Sequence, residues 1–436
     1  MWLGSILFPI LIKANNAILA AVVGELTQRF DPEQYICAVK KQMEVEPLVH
    51  FDDTEVAFSY KTDRSLKKAN FIFTLVNHPA ISGLATAAVK VGLALKLPIK
   101  GLIRSTVFYH FCGGETIEKS EETIQRLAQY KVGTILDYSV EGAETEEGFD
   151  KTMAEILNTF DKAKNNPAVP FCVFKLTGMA EIALLEKVQS SELLSETEKL
   201  AFERVRNRVD KICAKANEFG VPVLMDAEDS WIQNTIDALA YEMMEKYNKV
   251  QAIVFNTYQM YRTDMLSNLR EAFRKAAMHN YYLGVKMVRG AYMEKERERA
   301  AKLSYTDPIH PSKEATDDSF NKGLTFCIDN KQRITLVCGS HNEYSNHYLA
   351  VLMQKHGMKQ NDKRVWFSQL LGMSDNISFN LAKAGYNVAK YVPYGPVESV
   401  MPYLFRRASE NTSVAGQSSR ELMLIRKELR RRRNGN

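Results

Sequence analysis

Tyr281-Tyr282-Leu283-Gly284-Val285-Lys286-Met287-Val288-Arg289-Gly290-Ala291-Tyr292 reads as a short buried strand that runs into a small-residue turn. The apolar lead-in reaches two cations, Lys286 and Arg289, whose spacing sends them to opposite sides of the strand. Gly290-Ala291 would let a ligand approach the backbone closely. The charged run 294–299 then opens a solvated helix. Strand, turn and helix make one βα unit with its charges at the strand's C-terminal end.

The same unit recurs along the chain. Apolar runs at 132–138, 170–176, 221–226, 251–256, 284–288, 334–339, 364–368 and 387–392 alternate with longer amphipathic stretches. Eight strands alternating with eight helices predict an α/β fold, a distorted (βα)8 TIM-type barrel, over 131–436. An open doubly wound sheet would usually carry a Gly-rich phosphate turn, and neither G-x-G-x-x-G nor G-x-x-x-x-G-K-[ST] occurs. Residues 51–130 read as a helical N-terminal arm punctuated by Pro79, Pro98 and Gly113-Gly114.

Residues 1–50 read as an extension. The apolar stretch 1–24 is interrupted by Pro9, Lys13, Asn15 and Asn16, which argues against a span of roughly 20 apolar residues. It has no early positive charge or clean cleavage site of a signal peptide. Met43 offers an alternative start, so 1–42 are expected to be dispensable.

With 45% hydrophobic and 25% charged residues in 436, the composition is that of a globular protein. The net charge of +5 owes much to Arg430–Arg433, and no basic face is interleaved with aromatics, so nucleic acid is not an expected partner. Six scattered cysteines without a C-x-x-C pair suit a reducing, cytoplasmic-type compartment. Eight histidines without H-E-x-x-H leave no expected metal.

In a barrel of this kind the C-terminal strand ends form the active face. Here they carry Asp137 and Glu141, Lys175, Asp226 and Glu228, Asn256 and Gln259, Lys286 and Arg289, Ser340-His341-Asn342, Gln369, and Tyr391 with Tyr394. Together they predict a polar ligand site. Singly each has a plainer reading: Lys175 as a rim ion pair, Asp226 and Glu228 as helix caps, His341 as a neutral ring in a cap. Arg406 and Glu410 share a helix face, as a surface salt bridge or as part of a carboxylate clamp with Arg407.

These stretches resemble the proline dehydrogenase family. The resemblance rests on Leu136-Asp137-Tyr138-Ser139-Val140-Glu141-Gly142, Lys175-Leu176-Thr177, Asp226-Ala227-Glu228, Asn256-Thr257-Tyr258-Gln259, 285–292, Ser340-His341-Asn342, Gln369-Leu370-Leu371-Gly372-Met373 and 391–411. It implies FAD as cofactor and oxidation of L-proline to Δ1-pyrroline-5-carboxylate, with electrons passing to a membrane quinone. By the same resemblance Lys175, Arg406 and Arg407 hold the substrate carboxylate, and Glu141 pairs with Arg406. Tyr391 packs on the proline ring, Leu370 lines the pocket, Glu410 sits near the amine, and Asp226 and Lys286 are catalytic. FAD falls to Ala227, Asn256, Lys286, Val288, Arg289, Gly290, Ala291, Lys313, Thr316, Ser340, His341 and Asn342. Two positions depart from many bacterial relatives: Lys286 stands where they have arginine, Asn256 where they have glutamine, as in the eukaryotic-like branch. No aldehyde dehydrogenase module is recognisable.

Two other activities fit the same residues: 4-hydroxyproline oxidation, and a flavin-free lyase or aldolase with Lys175 as Schiff-base nucleophile. Delivery to a quinone implies peripheral contact with the inner face of the cytoplasmic membrane, or its matrix-side equivalent in mitochondria. The helix 419–433, with Leu422, Leu424, Ile425 and Leu429 among arginines, suits either an anionic surface or the end of the barrel.

Overall fold

In the computed structural model eight strands close into a barrel, each parallel to its neighbours and in chain order, with the eighth returning to the first. The structure describes residues 48–76, 100–139, 144–413 and 417–435. The arm comprises α1 (Thr54–Ala57), α2 (Asp63–Val76), a helical run over 100–111 with one π turn, and α3 (Glu121–Ala128). The barrel begins with β1 (Val132–Tyr138), α4 (Glu146–Ala163), β2 (Phe171–Phe174), α5 (Ile182–Gln189), α6 (Glu196–Phe219), β3 (Val223–Met225) and α7 (Ser230–Tyr247). Next come β4 (Val254–Gln259), α8 (Met265–Met278), β5 (Leu283–Val288), α9 (Met293–Leu303), α10 (Lys313–Asp329), β6 (Ile334–Gly339) and α11 (Glu343–Lys355). It closes with β7 (Val365–Leu370), α12 (Asp375–Lys383), β8 (Val388–Tyr394), α13 (Met401–Ser413) and α14 (Gln417–Asn434).

Strand positions match the hydrophobic runs except at β4, which begins and ends three residues after the 251–256 run. Asn248 is the reason for the late start. Its side-chain oxygen accepts from Ile253 N and Val254 N, holding those residues at the barrel entrance. The ladder with β5 then runs through the polar segment up to Gln259, opposite Val288. Polar residues at a strand's end are consistent with a strand that enters a ligand site.

Alternation decides which side chains face the lumen. Phe171 meets the ring of Phe255 at 5.7 Å and that of Trp366 at 5.2 Å, both edge-on. These rings come from β2, β4 and the non-adjacent β7, so they cross the lumen and close its floor. On β5, Met287 faces outward, its sulfur 3.9 Å from Cys327 of α10. Lys286 therefore faces in.

The arm and C-terminal helix are fastened to the barrel in two ways. Leu422, Leu424 and Ile425 of α14 bury against Phe58, Leu66 and Phe73 of the arm. The apolar side of the 419–433 helix is thus spent within the protein; Arg426, Arg430, Arg431 and Arg433 stay exposed, while Arg432 turns back to donate to Phe58 O and Lys61 O of the arm. Beside this layer lies a buried charge cluster. Asp375 accepts from Lys390 at 2.8 Å and from Tyr60 at 2.7 Å, and pairs with Lys61 at 3.1 Å. Glu421 of α14 accepts from Ser374 N at 2.9 Å.

Burial, reinforced by the neighbouring Asp375, raises the Glu421 carboxyl to about 7. The unfolded chain loses this proton near pH 4.5, whereas the folded chain keeps it up to about 7. Stability from this group is therefore full below about pH 4.5 and lost as pH rises toward 7. The Glu421 contribution to unfolding free energy is expected to fall by about 2 kcal/mol between pH 5 and 7.5, and Glu421→Gln to flatten that slope. Denaturant melts at the two pH values check this; parallel slopes in both proteins would refute it.

Candidate active site

Three strands bring their ends together over the lumen. Lys286 of β5 donates to Asp226 Oδ1 at 2.5 Å, just past β3, and to the Tyr391 hydroxyl of β8 at 2.6 Å. Tyr391 also donates to Asp226 Oδ1 at 3.2 Å. The ion pair is largely sealed, with side-chain exposures of 7% and 13%. Burial and the adjacent Asp226 push the Tyr391 phenol well above its ordinary value, so it stays protonated. A cation, a carboxylate and a neutral hydroxyl thus converge where β5 meets the mouth.

Arg289 leaves the other side of β5. It donates to Asp317 at 2.7 Å and to the hydroxyls of Ser340 and Ser345 at 2.9 Å each, and its guanidinium lies 4.5 Å from the Phe320 ring centroid. Lys313 reaches the other oxygen of Asp317 at 2.5 Å. Burial opposes ionisation of Asp317, but Lys313 and Arg289 outweigh it and hold the carboxyl below its usual range. Arg289 stands beside the N-terminus of α11 and Lys313 opens α10, where peptide N–H groups add positive potential.

The Ser340-His341-Asn342 run has a structural part to play. Asn342 caps α11 by accepting from Ser345 N at 2.9 Å, while Ser340 accepts from Asn342 N at 3.2 Å. His341 Nε2 accepts from Leu370 N at 3.4 Å, so Nδ1 carries the proton and donates to Ser374 Oγ at 2.9 Å. Burial, with the charges of Lys390, Arg407 and Arg289, lowers this ring to about 3. His341 is neutral, as its cap-like reading had it.

Other expected residues distribute differently. Asn256 faces outward to α7 and donates to Asp237 at 2.8 Å; its own side-chain oxygen is buried without a hydrogen-bond partner. Thr316 donates to Ser312 O within its own helix start. Gly290 takes φ +143°, and a Cβ there would lie 2.5 Å from the Tyr261 ring. That side of the glycine serves aromatic packing, while Ala291 N donates to Gln259 Oε1 at 3.3 Å. Val288 ends β5 at the Gly290 turn, and Ala227 follows Asp226 directly.

A cavity of about 670 Å³ opens at the ends of β1 and β2; none of the three triangle residues lines it, but its polar lining includes Lys175, Glu228, Tyr292 and Arg406. Arg407 is buried, its guanidinium 5.0 Å from the Tyr403 ring. Leu370 packs half-buried against the lumen cluster that includes Tyr391. Glu141 lies outside the described residues, as do the side chain of Glu410 and the extension 1–47.

Three further contributors stand at the site: Gln259 and Glu228, which the strand-end set included without individual roles in binding, and Tyr292, with no role assigned from sequence. Gln259 donates to Glu228 O at 2.7 Å and so ties the turn after β3 to the turn after β5. Glu228 receives both Thr177 N, at 3.0 Å, and the Thr177 hydroxyl; burial raises its carboxyl. Tyr292 sits at the cavity wall, its phenol raised by burial although Lys175 opposes this. Gln259 ends β4, Glu228 follows β3 by three residues and Tyr292 follows β5 by four, and closeness to a strand end is the available signal.

Comparison with known proteins shows the family. A family model described as proline dehydrogenase matches residues 120–420. The chain belongs to the proline dehydrogenase family. It is 35% identical over 384 residues to proline dehydrogenase 1, mitochondrial, of Dictyostelium discoideum, covering 78% of this chain and 67% of that protein. It is 33% identical over 333 residues to the carbapenem antibiotics biosynthesis protein CarD of Pectobacterium carotovorum subsp. carotovorum, covering 76% and 86%. The crystal structure of proline utilization A from Bdellovibrio bacteriovorus superposes with a TM-score of 0.64 at 17% identity, over 84% of this chain and 36% of that one. At that identity it speaks for the barrel alone.

Proposed function

We propose that this member of the proline dehydrogenase family oxidises L-proline to Δ1-pyrroline-5-carboxylate with FAD as cofactor and a membrane quinone as final acceptor. The observation that carries this reading is the Lys286–Asp226–Tyr391 triangle at the barrel mouth, in a chain of this family whose mouth also holds a cavity walled by Lys175 and Arg406. The donor set fits FAD. Arg289, Lys313 and the α11 N-terminus gather positive charge suited to a diphosphate, and Lys286 offers a buried cation to the ring system. Bound there, FAD would supply the hydride acceptor for the ring carbon of proline.

The protein's own share is orientation and charge. Lys175, Arg406 and Arg407 fix the carboxylate of a substrate that offers few other handles, with Glu141 pairing with Arg406 to close that end and Glu410 near the amine. Tyr391 and Leu370 bound the ring. The loss of a hydride from carbon and a proton from nitrogen makes the C=N bond. Lys286 stabilises the negative charge that arrives opposite it, and Asp226 keeps that lysine aimed.

Anaerobic addition of L-proline to the yellow purified protein tests the reading: the visible flavin band should bleach. A colourless protein trapped on Lys175 by borohydride would instead support the Schiff-base reaction. Arg407→Ala is expected to raise KM for proline by about 10²-fold or more with FAD still bound, since a buried charge-assisted contact is lost. Steady-state kinetics against flavin content check this; an unchanged KM would refute the clamp.

Among the described residues no helix is long and apolar enough to cross a membrane. We place quinone access at a membrane surface approached peripherally, the matrix face in a mitochondrion.

A further inference from the structure

Leu370 ends β7, and the turn from it to Ser374 is held at every residue. Leu370 N donates to His341 Nε2 at 3.4 Å, and Leu370 O accepts from Met373 N and from the Lys390 ammonium at 3.2 Å each. Leu371 N donates to Tyr391 O at 2.8 Å. Gly372 O accepts from His110 Nε2 of the arm at 3.1 Å, and Met373 O accepts from Lys390 at 2.6 Å. Ser374 N donates to Glu421, while its hydroxyl accepts from His341 Nδ1 at 2.9 Å. The serine sits at φ +49°, a left-handed conformation that glycine takes freely and serine only under strain. A glycine there would relieve the strain but drop the hydroxyl that His341 reaches. Strain kept beside a site in this way points to a role for the side chain.

We infer that Ser374 is a positioning residue: through His341 it fixes Leu370 against Tyr391, and the wall so held sets the ring size that the site accepts. This rests on the proline-oxidising reading above, in which Leu370 and Tyr391 bound the substrate ring. The two residues are partners in the β7–β8 ladder, so a shift of Leu370 changes the gap between them directly. Lys390 steadies the same turn from β8, its ammonium shared among Leu370 O, Met373 O and Asp375. A wall tied at this many points yields little, and close-packed surroundings register a single added methylene. The five-membered ring of proline fits such a wall. A cyclic amino acid with one more ring methylene, such as L-pipecolate, is turned away.

The readout is the inhibition constant of L-pipecolate against proline oxidation divided by the KM for proline, measured on flavin-loaded protein. Ser374→Gly and Ser374→Ala both delete the hydroxyl, but only alanine keeps a Cβ in the left-handed conformation. Glycine is therefore expected to melt above alanine. The ratio should fall at least about fivefold in both variants, approaching what one methylene is worth in a fitted pocket. An unchanged ratio in both would overturn the inference. So would a ratio that falls only in the less stable alanine variant, which is the behaviour of a serine that merely supports the fold. Failure of proline to bleach the wild type would instead defeat the underlying activity.

Discussion

Lys286→Met is expected to cut turnover with proline by about 10²–10³-fold, while Lys286→Arg stays within about tenfold of wild type. Methionine nearly conserves the volume of the buried chain, so packing over the lumen is kept. What is lost is the cation that holds Asp226 at 2.5 Å and Tyr391 at 2.6 Å. Arginine keeps the charge and is the residue of many bacterial relatives at this position. A merely structural lysine would also be missed, because leaving Asp226 buried without its partner costs about 3–5 kcal/mol. The discriminating measurement is therefore made on folded, flavin-loaded protein. The single-turnover bleaching rate should fall, and the flavin reduction potential should move negative by about 30 mV or more, the equivalent of a tenfold change in equilibrium for a two-electron couple. A methionine variant that melts earlier but bleaches at the wild-type rate would reduce Lys286 to a packing residue.

The barrel itself was legible because its signal is local. Alternation around Lys286, with Val285 and Met287 on the helix side, places the lysine in the lumen from a handful of residues. Its partners were not legible as partners. Asp226 and Tyr391 were both candidates, but their meeting at one ammonium group depends on lumen-crossing geometry that spacing along the chain does not encode. Asn256 shows the converse. Its place in a matching motif suggested the cofactor, yet the alternation that turns Phe255 inward turns Asn256 toward Asp237 of α7. Gly290 reads as letting a ligand approach the backbone; it takes φ +143°, and the ring filling its Cβ side belongs to Tyr261 on another strand's loop. The Ser340-His341-Asn342 run carried two readings at once, and the helix cap is the one visible in its hydrogen bonds.

Asp375→Asn carries the second large expectation, a loss of about 3–5 kcal/mol and a Tm drop of roughly 5–10 °C. Nothing in the sequence announced this residue: Tyr60, which donates to it, stands 315 residues away. Burial alone would favour the protonated acid, but Lys390 and Lys61 outweigh it and hold the carboxyl well below its usual range. Side-chain exposures of 0% for Lys390, 1% for Asp375 and 9% for Lys61 mean that water cannot replace what asparagine removes. Two cations would then face a neutral amide and the Glu421 carboxyl, which acts on Lys390 less strongly than Asp375 does. The consequence reaches the site, because Lys390 also donates to Leu370 O at 3.2 Å and Met373 O at 2.6 Å, and its chain neighbour is Tyr391. Some rise in KM for proline should therefore accompany the loss of stability. Adding Lys390→Met to Asp375→Asn removes the more deeply buried of the stranded charges and is expected to restore about half of the lost stability, since deleting both partners costs less than deleting one. Thermal melts of the two single variants and the double variant form the cycle. Strict additivity, with the double variant the least stable, would show that Lys61 and Tyr60 rather than Lys390 carry the coupling.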